Sequence, residues 1–501
     1  MIYMVEIKAL HPTLMKHSRR IRSPMPPSNP RPMLVALIVA CALFMENLDG
    51  TVISTALPAM ARSFGTSPIR LSLGITVYML SLAVFIPISG WVADRFGART
   101  IFRAAIGVFT LGSMLCGLCH TLPEFVAARI LQGIGGAMMV PVGRLAMLRS
   151  VDKSELVRAM AYLTVPALIG PVLGAPLGGF ITTFATWRWI FFLNVPIGVL
   201  GMVLATIYIE NFREENTPPL DWLGFLLTGS SLSVLIYGLE AVGRDDVAGW
   251  QPVGLIALGL ALGIAAVGHS RRHPHPLTDL SLLRLPTFAS NIFAGSLFRV
   301  GVGALPFLLP LMLQVTLGYT PFVSGLLTLA ASIGALAMKT TARPILRSFG
   351  FRTVLVVNGL ISAVTMLATG FFTAGTPAIV MLAVLLLGGF FRSLQFTSLN
   401  TIAYADIPVA KMSAATSFSG MVQQVALALG VAFGAILLHV TLAWRGAVGG
   451  TLSTTDFRFA YGCVALLSVI SVLLFRRLEP AAGAAVSGHR LNRTSPAPGD
   501  D

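Results

Sequence analysis

Four acidic or basic residues lie inside three stretches that are otherwise apolar, and they are the first residues in this sequence capable of chemistry. Glu46 and Asp49 are three apart in one stretch, so a helix puts them on a face about 60° wide. Arg129 sits in a second stretch, with Gly133 and Gly136 on its own face, where small residues let another helix approach. Arg299 occupies a third stretch that has no acidic residue. Ionisable groups buried in lipid are costly and face a cavity or a partner. A carboxylate gains from a nearby cation and loses from desolvation. An acid that alternates between those surroundings can bind a proton on one side and release it on the other. The competing reading is a static ion pair that only fixes helix packing.

Two other patterns point to chemistry the chain does not support. Cys116-Gly-Leu-Cys119-His120 has the C-x-x-C-H spacing of haem attachment, but both thiols fall within an apolar stretch, where cysteine packs as a small hydrophobe. His273 and His275 lie in a polar, proline-bearing segment and read as part of a solvated connector, so no metal site is expected. The chain has no G-x-x-x-x-G-K-[ST] phosphate loop and no H-E-x-x-H cluster. An enzyme is therefore disfavoured and no cofactor is expected.

The elements that position these residues are membrane helices. Of 501 residues, 55% are hydrophobic and 11% charged, against about 25% charged in a soluble domain. The excess of 35 Lys and Arg over 20 Asp and Glu sits in short loops and tails, which favours a membrane over nucleic acid. A crossing needs about 20 apolar residues, and fourteen runs qualify: 34–55, 70–91, 101–119, 125–148, 159–182, 189–209, 222–240, 252–268, 288–313, 322–339, 353–373, 376–399, 413–438 and 458–475. Their backbones must satisfy themselves in lipid, so they are helices. With the N-terminus inside, 24 Lys and Arg fall on the cytoplasmic side, 6 outside and 5 within spans. That bias places both termini in the cytoplasm.

Depth then links two helices. At 1.5 Å per residue, Asp49 comes out about 22 Å from the cytoplasmic side and Arg129 about 24 Å, so the two match. Arg299 lies about 16 Å deep, near the midplane, as a candidate for the substrate cavity or for bonding to polar groups of another helix. Arg144, Lys339 and Arg392 come near cytoplasmic span ends and can snorkel.

The chain divides into a basic cytoplasmic tail (1–32), a first six-helix bundle (33–209), two inserted helices (210–268), a cytoplasmic linker (269–286), a second six-helix bundle (287–478) and a C-terminal cytoplasmic tail (479–501). The N-terminal tail lacks the long apolar core of a cleaved signal peptide. The longest soluble stretch is about thirty residues, too short for the output domain expected of a sensor.

Four stretches resemble the major facilitator superfamily, and within it the fourteen-helix drug:proton antiporter branch. LDGTVISTALP (48–58) is similar to the first-helix motif, with Asp49 at its acidic position. GWVADRFGART (90–100) resembles the loop motif between helices 2 and 3, with Gly90, Asp94, Arg95 and Gly97 at signature positions. RILQGIGGA (129–137) resembles the fourth-helix motif, whose basic residue is Arg129. GPVLGAPLGG (170–179) resembles the antiporter motif, with Gly170, Pro171, Gly174, Gly178 and Gly179. WRWIFFLNVPIG (187–198) follows it, as in the fourteen-helix branch. Gly170, Gly174 and Gly178 also make a flat strip by their four-residue spacing, while Pro171 and Pro176 favour bends.

The resemblance implies an all-α integral membrane protein: two six-helix bundles plus two inserted helices, with a cavity between the bundles. It implies a proton-coupled efflux transporter in a bacterial cytoplasmic (inner) membrane that exports amphipathic drugs, with Asp49, Glu46 and Arg129 in proton coupling. Small molecules, protons and lipid are the expected partners, with a membrane-fusion adaptor as a candidate, no nucleic acid, and a monomer as the functional unit. A dedicated exporter of one metabolite, peptide or siderophore is the alternative on the same fold. The loop motif returns in 339–353 without its acidic residue, so state-locking is expected mainly in the first half.

Overall fold

The computed structural model describes residues 32–151, 156–214, 217, 219–242, 247–408, 411–446 and 451–489. The expected cytoplasmic tails, apart from Pro32 and the stretch 479–489, lie outside the described residues. Sixteen α-helices follow one another: α1 (Pro32–Phe64), α2 (Pro68–Leu71), α3 (Leu73–Phe96), α4 (Ala98–Leu118), α5 (Leu122–Ser150), α6 (Leu156–Phe184), α7 (Trp189–Phe192), α8 (Asn194–Tyr208), α9 (Trp222–Glu240), α10 (Gln251–Ser270), α11 (Pro286–Leu311), α12 (Pro321–Thr369), α13 (Ala378–Ile402), α14 (Met412–Trp444), α15 (Thr454–Phe475) and α16 (Ala484–Ser487). A π-helical turn, Met312–Thr316, extends α11. Among the described residues, twelve helices are long and apolar enough to cross a membrane.

Helix ends are set by local chemistry. Thr121 and Glu124 form a reciprocal capping box at the start of α5, and Ser453 and Asp456 form another at α15. Pro286 and Pro321 open α11 and α12, where the missing N–H costs nothing. Gly97 sits at φ 97° between α3 and α4, and an added Cβ would run into the Asn211 side chain. A tight reversal with no room for a side chain admits only glycine there.

Two lengths differ from the expected spans. The run 34–55 belongs to a helix reaching Phe64 across Pro58, a residue that helices in a membrane tolerate in their interior. The separate runs 322–339 and 353–373 belong to one 49-residue element, α12. At 1.5 Å per residue it would be about 74 Å long if straight, beyond any single crossing. Gly350, at φ 70° and ψ 165°, breaks the helical path, so α12 is two arms that meet at this glycine.

The chain reverses at two ends. We call the end holding Pro32 and the α3–α4, α8–α9 and α10–α11 connections the terminal end, and the opposite one the distal end. In the first half, the terminal portions of α1, α3, α4, α5 and α8 share a core that includes Val39, Phe102, Phe109 and Met147. The distal core is different: Ile53, Leu57, Phe125 and Phe191 of the first half are continuous with Phe298, Phe307, Leu438 and Tyr461 of the second. The halves also meet distally through polar contacts. Gln314 Nε2 donates to the Thr55 carbonyl at 2.9 Å, and the Phe322 N–H donates to Thr183 Oγ1 at 3.1 Å. Helices α9 and α10 pack mainly on each other and expose Leu226, Leu258 and Ile264, as expected of a lipid-facing pair.

The glycine strip of α6 lies flat on α1. A Cβ on Gly170 would come within 2.9 Å of the Phe44 carbonyl oxygen. At Gly174 it would overlap Thr51, and at Gly178 the Val52 carbonyl. Gly179 turns toward the second half, where Pro321 occupies the space. Gly178→Val should therefore destabilise the protein by about 1–3 kcal/mol through overpacking. Gly462→Ala, with open space at its Cβ, should leave stability equal or slightly higher. Thermal unfolding of the two purified variants checks this contrast.

Candidate functional site

Asp49 and Arg129 are in direct contact in the core of the first half. Arg129 Nη1 lies 2.6 Å from Asp49 Oδ2, with side-chain exposures of 0% and 1%. Two further donors complete the carboxylate: Gln132 Nε2 reaches Asp49 Oδ1 at 2.9 Å, and Asn194 Nδ2 reaches it at 3.3 Å. Arg129 also donates to Gln132 Oε1 at 2.7 Å and, through Nε, to the Gly74 carbonyl at 3.3 Å. Its guanidinium stacks 4.1 Å from the centroid of Tyr78, a cation–π contact. Asn194 is anchored in turn by Ser113 Oγ at 3.0 Å, whose hydroxyl donates to the Phe191 carbonyl.

Five helices converge to build this network, and glycines allow the approach. Arg129 and Gln132, three apart on α5, present one face to α1. Gly133 packs against Ser81 and the Tyr78 carbonyl on α3, and Gly112 of α4 against the backbone of Gln132. Asp49 is therefore held by α1, α5 and α8, and Arg129 by α1, α3 and α5. Arg129 Nη2, Tyr78 Oη and Asn194 Oδ1 are buried with no hydrogen-bond partner.

Glu46 is not in the pair. It sits one turn toward the terminal end, within the electrostatic reach of Arg144 as well as Asp49, and its Oε2 has no hydrogen-bond partner. Gly50, beside Asp49, has open space where a Cβ would stand.

The loop-motif residues lie at the terminal end. Asp94 pairs with Arg149 at 3.2 Å, and the same guanidinium reaches Glu214 at 2.8 Å. This joins the ends of α3 and α5 to the segment after α8. Asp94 does not cap α4, which starts at Gly97 with no side-chain cap. The Arg95 carbonyl accepts from Arg213 Nε, and Gly90 faces open space.

Arg299 is fully buried in the second half, and among the described residues no carboxylate pairs with it. Its Nη2 donates to Asn291 Oδ1 at 2.8 Å and to Asn400 Oδ1 at 3.0 Å, and Nη1 to the Asn291 carbonyl. The polar groups of its own and another helix hold it, one of the two alternatives its depth left open. Asp406 accepts from Thr287, and Lys339 donates to Thr397. Cys116 bonds to Gln132 Oε1 at 3.6 Å and Cys119 to the Leu115 carbonyl, so both thiols are engaged within the bundle.

Gln132, Asn194, Ser113 and Tyr78 were not expected from sequence. Gln132 had a usable signal, since it stands one turn from Arg129 on the same face. Asn194 is an amide within an apolar run.

Truncating one partner of the pair strands the other in the core. Asp49→Ala should cost about 3–5 kcal/mol, and Asp49→Ala with Arg129→Ala together should cost less than the sum of the two single changes. Asn194→Ala, which removes one donor, should cost about 1–3 kcal/mol. Thermal or denaturant unfolding of the four variants measures the coupling.

Comparison with known proteins agrees with this architecture. The family model described as Major Facilitator Superfamily matches residues 39–430 and 291–499. Curated relatives named "Putative multidrug resistance protein MdtD" from Salmonella newport (strain SL254) and Salmonella typhi are 37% identical over 442 residues, covering 88% of this chain and 94% of theirs. Among solved structures, an auto-inhibited POT family peptide transporter superposes with a TM-score of 0.67 at 16% identity, covering 93% of this chain and 99% of its own. A D-xylose–proton symporter superposes with a TM-score of 0.62 at 17% identity, covering 90% and 98%. These two show the shared fold. The chain belongs to the Major Facilitator Superfamily and is a membrane transporter, not an enzyme.

Proposed function

We propose that the protein is a proton-coupled antiporter that exports amphipathic drugs and other toxic compounds across a bacterial cytoplasmic membrane. The observation that carries this reading is the buried Asp49–Arg129 pair, closed by Gln132 and Asn194, beside a helix face that borders open space. Protonation of Asp49 neutralises the carboxylate and frees the guanidinium, so the helices that meet there lose their strongest mutual attraction. Rocking of the halves then carries the neutral acid to the other side. Deprotonation restores the pair. Glu46, on the cavity side of α1, is the proton's relay toward Asp49 and an attractant for cationic substrates.

The same reading gives α12 two crossings and α6 one, for fourteen spans with both termini cytoplasmic. Bundles 33–209 and 287–478 rock about a seal, and 210–268 supplies the inserted pair. The continuous distal core supports a state closed on the outside and open toward the cytoplasm. The α6 strip with Pro171 and Pro176 is the seal, touching α1 through Gly170, Gly174 and Gly178 and the second half through Gly179. Gly90, Asp94, Arg95 and Gly97 form the cytoplasmic latch, which in this state holds Arg149 within the first half. Arg299 orders the second-half wall of the cavity. The name of the relatives, "Putative multidrug resistance protein MdtD", favours broad over dedicated export. A monomer suffices for this cycle, and a membrane-fusion adaptor is the partner for passage beyond the cytoplasmic membrane.

The test is transport in proteoliposomes under an imposed pH gradient with several unrelated cationic dyes. Wild-type protein should move more than one dye against its gradient, and collapse of the proton gradient should stop it. Asp49→Asn should fold, bind dye and show no gradient-driven transport. Full gradient-driven activity in that variant removes the coupling role. Movement of a single compound only replaces multidrug export with dedicated export.

A further inference from the structure

At the terminal end, three metal-ligating side chains converge outside the site described above. His269 ends α10, and His273 follows it by four residues. The backbone makes one more turn between them, the His273 N–H bonding to the His269 carbonyl at 3.0 Å. Their rings are 5.1 Å apart. Asp221, at the start of α9, faces both. Its Oδ1 lies 2.7 Å from His269 Nε2, and one donor atom from each of the three residues lies within 4.8 Å of the others.

We propose that Asp221, His269 and His273 form a binding site for a divalent transition-metal ion, with Zn²⁺ as the reference ligand. Two imidazoles and a carboxylate suit zinc-like ions, whereas Mg²⁺ and Ca²⁺ take oxygen ligands. In a tetrahedral site, bonds of about 2.0–2.2 Å put ligand atoms about 3.3–3.6 Å apart. Forming it opens the His269–Asp221 contact and draws His273 in, side-chain shifts of up to about 1–1.5 Å that rotation about the side-chain bonds supplies. The fourth position is left to water, because the cluster lies at a helix end, with His273 partly exposed.

The scaffold is built before the metal arrives. Asp221 caps α9 through the Gly224 N–H at 2.8 Å and holds the connector through the Leu277 N–H at 3.2 Å. Ser270 Oγ donates to the Thr278 carbonyl. Burial alone would raise the Asp221 carboxyl, but the bonds from Gly224, His269 and Leu277 outweigh it and hold the group below the usual carboxylate range. It is an anionic ligand at neutral pH. Metal at His269 Nε2 replaces the ring proton now shared with Asp221, which moves to Nδ1. The bound ion would tie the two ends of the α9–α10 hairpin to the connector between the halves.

The experiment uses the full chain in detergent, with any affinity tag removed and metal stripped by chelator. Titration calorimetry with Zn²⁺, and with Mg²⁺ as a control, gives stoichiometry and affinity. Wild type should bind one Zn²⁺ per chain, ignore Mg²⁺ and melt at a higher temperature with Zn²⁺ present. His273→Ala should weaken that binding by more than about a hundredfold, beyond the loss of an outer-shell partner, while its metal-free melting matches wild type. His269→Ala should lose Zn²⁺ binding to the same extent, with a lower metal-free melting temperature from the lost Asp221 contact, and His275→Ala should bind as wild type does. Co²⁺ in place of Zn²⁺ should give visible absorption that His273→Ala removes. No Zn²⁺ binding by wild type, equal binding by wild type and His273→Ala, or equal loss in His275→Ala overturns the site and leaves a hydrogen-bonded His–Asp contact only.

Discussion

A carboxylate and a guanidinium that both lie out of reach of water can coexist only by holding each other, and the first half of this protein is arranged around that constraint. Removing either charge from solvent costs several kcal/mol, which their attraction repays only with good geometry and further hydrogen bonds. The structure supplies both. Asp49 accepts from Arg129, Gln132 and Asn194, and Arg129 adds Gly74, Gln132 and the face of Tyr78. Five helices contribute, so the charge state of one acid is felt by most of the bundle. Such a pair is weak evidence for stability, and in the proposed function it is a switch, because a protonated acid would no longer need the arginine.

The packing around the pair gives the switch something to move. α1 carries Asp49 on one face and lies on the glycine strip of α6 along another, with no room for a single added methyl at Gly174 or Gly178. The next glycine, Gly179, abuts the second half at Pro321. A shift of α1 is thereby felt at the seam between halves within two helix layers. The distal core crosses that seam, while the terminal portion of the first half keeps a core of its own. The terminal ends are joined by ion pairs such as Asp94–Arg149, which are partly exposed and open at little cost. Apolar burial serves both ends, and at the terminal end of the first half these partly exposed ion pairs are added to it.

Much of this was legible in the sequence. Long apolar runs fix helices because lipid leaves no other way to satisfy the backbone, and depth counted from span ends matched Asp49 to Arg129 before any coordinates. What escaped were features that hydropathy does not encode. Helix α1 passes Pro58 and ends nine residues beyond the expected limit at 55. Gly350 joins the two arms of α12 in a non-helical conformation, a backbone geometry that the apolar runs on either side do not announce. Gln132 and Asn194 are neutral amides whose function exists only where Asp49 lies. The same holds for Asn291 and Asn400, which hold Arg299. The connector showed His273 and His275 as neighbours in sequence, but it is a helical turn that pairs His273 with His269, and a helix cap that brings Asp221 to both.

The most direct test of the account is the protonation state of Asp49 itself during the cycle. Infrared difference spectra of the reconstituted protein, recorded as substrate is added and as pH is lowered, follow the protonated-carboxyl band. The account predicts a band that grows on acidification, falls when substrate binds, and is absent from Asp49→Asn. A carboxylate that stays ionised through both changes, with transport intact, contradicts it.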